Sequence, residues 1–400
     1  MSPSIPPPQS QSQSQSQPTI IPSIPIPEPR FLTLPHKPDS PISYTFIPSS
    51  SSSSSSSFSS SNKEESKNKN TNTDNKNLIL FLNGLGLPAE SWIPSIKILL
   101  SKRGFGAGEG GEKGIEKGKE DGYSAILTYD RFGQGPTTSR DPLDGTVGRE
   151  RGHTLEDVVR DLEEVLRVVV ATHISISQPS QEQEANKEDG INLLIVGASI
   201  GVPLLRLYAS SPTRPFPLSG ALLLDSNIAN TPYSSILPAP DSPAFTANPE
   251  KYLGGECSEP ECTIEEYTAS RGIFVRMFDF DVPNKEGLDR RSSPDLLPSS
   301  TGPRLDGGGG NGVEMTVVGH DSGSFIEGSW ERVGVHRRVG FLVDRFWKQY
   351  NQDLTQLTTP EKCRGPIIAK GCGHFIQEDD PGFVAEEVLG LMGRLGWLGW

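Results

Sequence analysis

Six short runs of nearly unbroken apolar residues constrain this chain more than anything else in it: NLILFLNG, YSAILTYD, INLLIVGAS, SGALLLDSN, VEMTVVGHD and GPIIAKGCGHF. A strand that is apolar at almost every position, rather than at alternate ones, is covered on both faces. Between these runs lie helix patterns such as SWIPSIKILLSK, GVPLLRLYAS and GFLVDRFWKQYNQDL. In HTLEDVVRDLEEVLRVVV, residues Leu155, Val158, Val159, Leu162, Val165, Leu166 and Val169 share one helical face. Thr154 and Asp157 stand at cap and N3 spacing ahead of it. Strand and helix in alternation predict an α/β fold: a mostly parallel central sheet with helices on both faces. Residues 30–48, RFLTLPHKPDSPISYTFIP, alternate well enough for a two-stranded start.

Only 34% of the 400 residues are hydrophobic, while Gly (42) and Pro (35) are abundant, so a normal core is diluted by sequence that cannot pack. The dilution is local. Residues 1–29 are a Pro/Ser/Gln-rich tail expected to be disordered, and 49–76 and 104–122 are low-complexity insertions. The first part of the core then covers residues 30–227. Over 228–311 the alternation lapses into helical patches such as TIEEYTASRGIFVRMF among Pro and Gly, about the size of a lid or cap. Within it, Asp289, Arg290 and Arg291 are expected as a salt-bridged turn. Residues 312–400 resume the core.

A net charge of −13 argues against a nucleic-acid partner, which needs clustered Lys and Arg. No apolar run reaches the roughly 18–20 residues of a transmembrane segment. The N-terminus has neither a basic start nor an apolar core, so no standard secretory signal is read and a cytoplasmic location is expected. Four cysteines in such a chain are expected as free thiols, with Cys257 and Cys262 the pair that would bridge in an exported protein. No metal cluster or Walker loop stands out, and GFGAGEGG does not follow a strand, so no metal and no cofactor are expected.

In an open parallel sheet, ligands gather at the carboxyl ends of the strands. Ser199 stands there between Gly197 and Gly201, in GASIG, the pattern of a sharp strand-to-helix turn that exposes a serine oxygen. His374, after the last strand, is the candidate general base. Asp225 and Asp321 both leave strand ends after the serine. Asp321, on the strand just before that of His374, is the preferred acid, Asp225 is the alternative, and His320 is read as a neighbour. An oxyanion hole needs two backbone N–H groups. Ile200 supplies one, and Leu85, in the turn FLNGLGLP with Asn83, Gly84 and Gly86, supplies the other.

GASIG, then GHD, then CGHFIQEDDP, in that order, resembles the α/β-hydrolase superfamily, and YDRFGQGPTTSRDP is similar to its Asp-x-x-Gly-x-Gly turn. The resemblance implies a serine hydrolase that cleaves a carboxylic ester, a class that includes thioesters and lipid-like esters, through an acyl-enzyme. Its partner is then a small hydrophobic ester. A serine nucleophile argues against the dehalogenase and epoxide-hydrolase branches. The usual His-Gly of the oxyanion turn is Asn83-Gly84 here. Phe274, Met277 and Phe278 in the lid form either its own small core or an apolar substrate wall. Two other classes use the same fold: a catalytically silent binding module, and an acyltransferase or C–C hydrolase with the same triad.

Overall fold

The computed structural model describes residues 20–49, 76–102, 124–174, 190–254, 260–307, 310 and 312–398. The insertion at 104–122, all but the ends of that at 49–76, residues 1–19 and Cys257 lie outside the described residues. Residues 20–29, expected within a disordered tail, form no helix or strand, yet Ile24 and Ile26 pack against the core.

Among the described residues, eight strands form one sheet in the order β1-β2-β4-β3-β5-β6-β7-β8. They are β1 (Arg30–Leu34), β2 (Lys37–Ile47), β3 (Lys76–Leu82), β4 (Ala125–Tyr129), β5 (Ile191–Ala198), β6 (Leu218–Leu224), β7 (Glu314–His320) and β8 (Cys363–Ala369). The first two form an antiparallel hairpin, β2 runs antiparallel to β4, and every remaining pair is parallel. Helices α1 (Ile93–Lys102), α2 (Leu155–His173) and α3 (Gly201–Ser210) connect the early strands.

The continuous apolar runs are explained by the two cores that the sheet separates. Along β3, Leu78, Leu80 and Leu82 enter one core with α2 and α3, whereas Ile79 and Phe81 enter the other with α1. A side-chain period of two thus demands apolar residues at every position. On α2 all seven residues of the expected stripe are buried, and Thr154 and Asp157 close a capping box.

Between β6 and β7 the chain leaves the sheet through α4 (Tyr233–Ile236), α5 (Pro243–Thr246), α6 (Glu250–Leu253), α7 (Ile264–Phe278) and α8 (Ser293–Leu296). Helices α9 (Ser322–Val333) and α10 (Arg337–Leu354) follow β7. Helices α4, α6 and α7 pack on α10. The chain ends with α11 (Ile376–Asp379) and α12 (Pro381–Arg394), beyond which Leu395, Trp397 and Leu398 lie on the second core. Among the described residues, no helix is long and apolar enough to cross a membrane.

Thr154→Ala removes the oxygen that accepts from the Asp157 N–H. It should cost about 1 kcal/mol, read as a lower urea midpoint at unchanged m.

Candidate active site

Ser199 follows β5 with φ +53°, a left-handed backbone that a serine adopts only where the surrounding fold enforces it. Its N–H donates to the Leu224 carbonyl (3.1 Å) and its carbonyl accepts from Asn227 N (3.1 Å), so β6 and the following turn fix the bend. A Cβ at position 197 would lie 2.8 Å from the Gly201 carbonyl oxygen, and one at position 201 would lie 2.6 Å from that of Leu82. Neither contact is tolerable, so both flanks of the serine must be glycine.

His374 meets Ser199 from the loop after β8, with Nε2 3.0 Å from the serine Oγ. Its other nitrogen, Nδ1, lies 2.6 Å from Oδ2 of Asp225. A carboxylate only accepts, so Nδ1 carries the proton and Nε2 is free to take one from the hydroxyl. The preference for Asp321 therefore has to be corrected. Asp321 is the N-cap of α9, where its carboxylate accepts from Ser324 N (3.2 Å), and His374 is turned to Asp225.

Asp225 has no solvent exposure and is itself left-handed, with φ +39°. Its Oδ1 also accepts from Asn351 Nδ2 (3.0 Å), and His320 Nδ1 lies 2.8 Å from its Oδ2. Burial alone would push this carboxyl up. The charge of His320 and the hydrogen bonds from both histidines overcome that and hold it well below the usual carboxylate range. His320 is thus more than a neighbour of the site: its ring shares the Asp225 carboxylate with His374. The Trp347 ring packs against His374 with centroids 4.7 Å apart, and its Nε1 donates to the Ser226 carbonyl (2.6 Å).

The turn at Gly84 lies against the serine: a Cβ on Gly84 would sit 3.5 Å from that of Ser199. Arg131 Nη2 (3.0 Å) and Gln134 Nε2 (2.9 Å) both donate to the Gly84 carbonyl. In a trans peptide the N–H points opposite to the carbonyl, so Leu85 N–H is turned away from that network. Asn83, which departs from the usual histidine, is fully engaged. Its Oδ1 accepts from Trp92 Nε1 (2.8 Å), and its Nδ2 donates to the Tyr129 carbonyl (3.0 Å). The Asp-x-x-Gly-x-Gly turn backs this arrangement. Asp130 Oδ1 accepts from Ala89 N (2.7 Å), and a Cβ on Gly135 would lie 2.5 Å from that oxygen.

Glu286, fully buried in the segment between α7 and α8, completes the network. Its Oε2 accepts from Arg131 Nε (2.9 Å), while Oε1 accepts from Gln134 Nε2 (2.9 Å) and from the Gly86 N–H. Sequence reasoning misses it, because no local motif marks a lone glutamate 155 residues from the arginine it pairs with.

The three aromatic or thioether candidates of the segment part company. Phe278 stands edge-on to His374 with ring centroids 6.2 Å apart. Phe274 is buried against Tyr233 and Phe325, whereas Met277 is exposed at 43%. Arg290, expected in a salt-bridged turn, is buried and donates to the Asp279 carbonyl; only Arg291 pairs with Asp289 (2.6 Å). Among the described residues, no group of three His, Cys, Asp or Glu is arranged to hold a metal ion.

The sequence model described as "Alpha/beta hydrolase family" matches residues 79–387. The chain belongs to the alpha/beta hydrolase family. No curated protein sequence matches it. Among solved structures it is similar to MenH from S. aureus, at 12% identity and a TM-score of 0.43, over 88% of this chain and 98% of that one. It is also similar to alpha/beta hydrolase domain-containing protein 10 from mouse, at 12% identity and a TM-score of 0.44, over 92% of this chain and 100% of that one. A thermophilic esterase from Thermogutta terrifontis matches at 13% identity and a TM-score of 0.42, over 92% of this chain and 99% of that one.

Glu286→Gln keeps the shape but leaves the buried Arg131 guanidinium without a counter-charge. The variant should lose about 3 kcal/mol of unfolding free energy in denaturant. A loss under about 1 kcal/mol would mean that the pair is not what holds the turn.

Proposed function

We propose that this protein is a serine hydrolase that cleaves carboxylic esters through an acyl-enzyme. The observation that carries this reading is the unbroken hydrogen-bonded chain from Ser199 through His374 to a buried, ionised Asp225. Ser199 Oγ attacks the ester carbonyl as its proton passes to His374 Nε2. The tetrahedral oxyanion is held by the N–H groups of Ile200 and Leu85. The imidazolium then returns the proton to the departing alkoxide, and the C–O bond breaks to leave the acyl group on Ser199. Water, deprotonated by His374, attacks the acyl carbonyl and restores the serine. Throughout, Asp225 holds the tautomer and balances the charge on the ring.

Segment 228–311 then acts as the cap over this site, and Phe278, the one of its apolar candidates that contacts His374, contributes to an apolar substrate wall. A small hydrophobic ester is the substrate class that such a wall suits.

Labelling with a fluorophosphonate tests the reading directly, since the reagent reports an activated serine whatever ester the protein cleaves. The wild type should label covalently and Ser199→Ala should not. Asp225→Asn should cut the labelling rate by roughly 10³-fold or more. Asp321→Ala should label within about threefold of the wild type and lose about 1 kcal/mol of stability as a removed helix cap. A folded wild type that resists the reagent would overturn the enzyme reading and favour a binding module. Equal labelling of Asp225→Asn and wild type would overturn the choice of acid.

A further inference from the structure

His320 closes β7 with 1% of its surface exposed, and both of its ring nitrogens face carboxylates. Nδ1 lies 2.9 Å and 2.8 Å from the two oxygens of Asp225, and Nε2 lies 3.1 Å from Oδ1 of Asp344 on α10. Carboxylates offer only acceptors, so a ring bonded to one at each nitrogen must donate twice, and only the imidazolium can do so. We propose that His320 is a positioning residue: clamped as a cation between Asp225 and Asp344, it aims Asp225 at His374 and tempers the charge that His374 feels. This rests on the hydrolase reading above.

Several features of the cluster support a fixed cation. Phe325 stacks on the His320 ring at a centroid distance of 4.2 Å, and Trp347 meets it edge-on at 5.7 Å. Asp344 is itself held, accepting from Ser322 Oγ (2.8 Å), with Lys348 Nζ 3.4 Å from its other oxygen. The titratable groups around the histidine are therefore Asp225 directly after β6, His374 from the β8 loop, Asp344 and Lys348 from α10, and the buried Tyr233 of α4, whose titration Asp225 influences. Burial would lower the pKa of His320, but the charge of Asp225 and its hydrogen bonds to both carboxylates raise it to about 9. At neutral pH the cluster thus holds a carboxylate already neutralised on one side. The imidazolium that forms on His374 during catalysis therefore faces a weaker counter-charge than an uncompensated Asp225 would present.

The test is the pH dependence of the second-order fluorophosphonate labelling rate of Ser199. His320→Gln removes the cation and should move the acidic limb to higher pH by about one unit. Asp344→Asn removes a negative charge from the same cluster and should move the limb the opposite way, by a smaller amount. His320→Gln with Asp344→Asn removes both charges and should bring the limb back toward that of the wild type. A merely structural role would lower labelling uniformly and leave all four limbs in place, which would overturn the proposal. If His320→Gln fails to fold, the direction of the shift in Asp344→Asn and in the double variant decides it. A wild type that labels but whose limb matches that of the variants removes this inference alone, whereas a folded wild type that does not label removes the hydrolase reading with it.

Discussion

The carboxylate of Asp225 is the point on which this site turns. It has no contact with solvent, and a bare charge so placed would cost many kcal/mol. Four donors from separate parts of the chain make it tolerable: the His374 ring after β8, the His320 ring and backbone N–H at the end of β7, and the Asn351 amide of α10. Each donor lies far from Asp225 in sequence, so the carboxylate is satisfied only when β6, β7, β8 and α10 have docked. The left-handed backbone at Asp225 belongs to the same constraint, because its N–H is spent on the Val318 carbonyl (2.8 Å) while its side chain turns across the strand ends.

The opposite wall of the site depends on a second buried ion pair, built from different elements. Arg131 comes from the turn after β4 and Glu286 from the segment between β6 and β7, yet together they hold the backbone that faces Ser199. A guanidinium suits the task, because its planar fork reaches two successive carbonyls, Asn83 and Gly84, as well as a carboxylate. The two networks share no residue. One fixes the surroundings of His374 and the other fixes the backbone at Gly84 that faces Ser199.

Much of this is legible in the residues. Strand runs buried on both faces, the capping box at Thr154 and the paired glycines around Ser199 are local patterns, and local patterns can be read before the fold is in view. Which aspartate meets His374 is not legible by such means. Asp225 and Asp321 both end strands, and they differ only in what they meet across the sheet. At the end of β7 the period-two alternation turns His320 inward and leaves Asp321 to cap a helix. That helix, α9, is just as hard to see in the sequence. SGSFIEGSWERV is broken by two glycines and three serines, and its signals are its ends: Asp321 as N-cap and Gly334 in the left-handed conformation that closes it. Glu286 leaves no trace at all, since a buried ion pair is written in two places that nothing in the sequence connects.

The segment between β6 and β7 does more than cover the sheet. Its middle carries Glu286 to the turn at Gly84, its helix α7 ends at Phe278 beside His374, and its C-terminal end is tied down by Arg206. That arginine belongs to α3, the helix that starts directly after the serine bend, and it donates to the Ser299 (2.6 Å) and Gly302 (2.7 Å) carbonyls. The serine bend, the turn at Gly84 and the histidine are therefore each anchored to the same excursion by a separate contact. A segment held in this way cannot change its length or path without disturbing the backbone that faces Ser199. The path of this segment and the backbone that faces Ser199 are consequently coupled, and Glu286 is the residue at which that coupling is tightest.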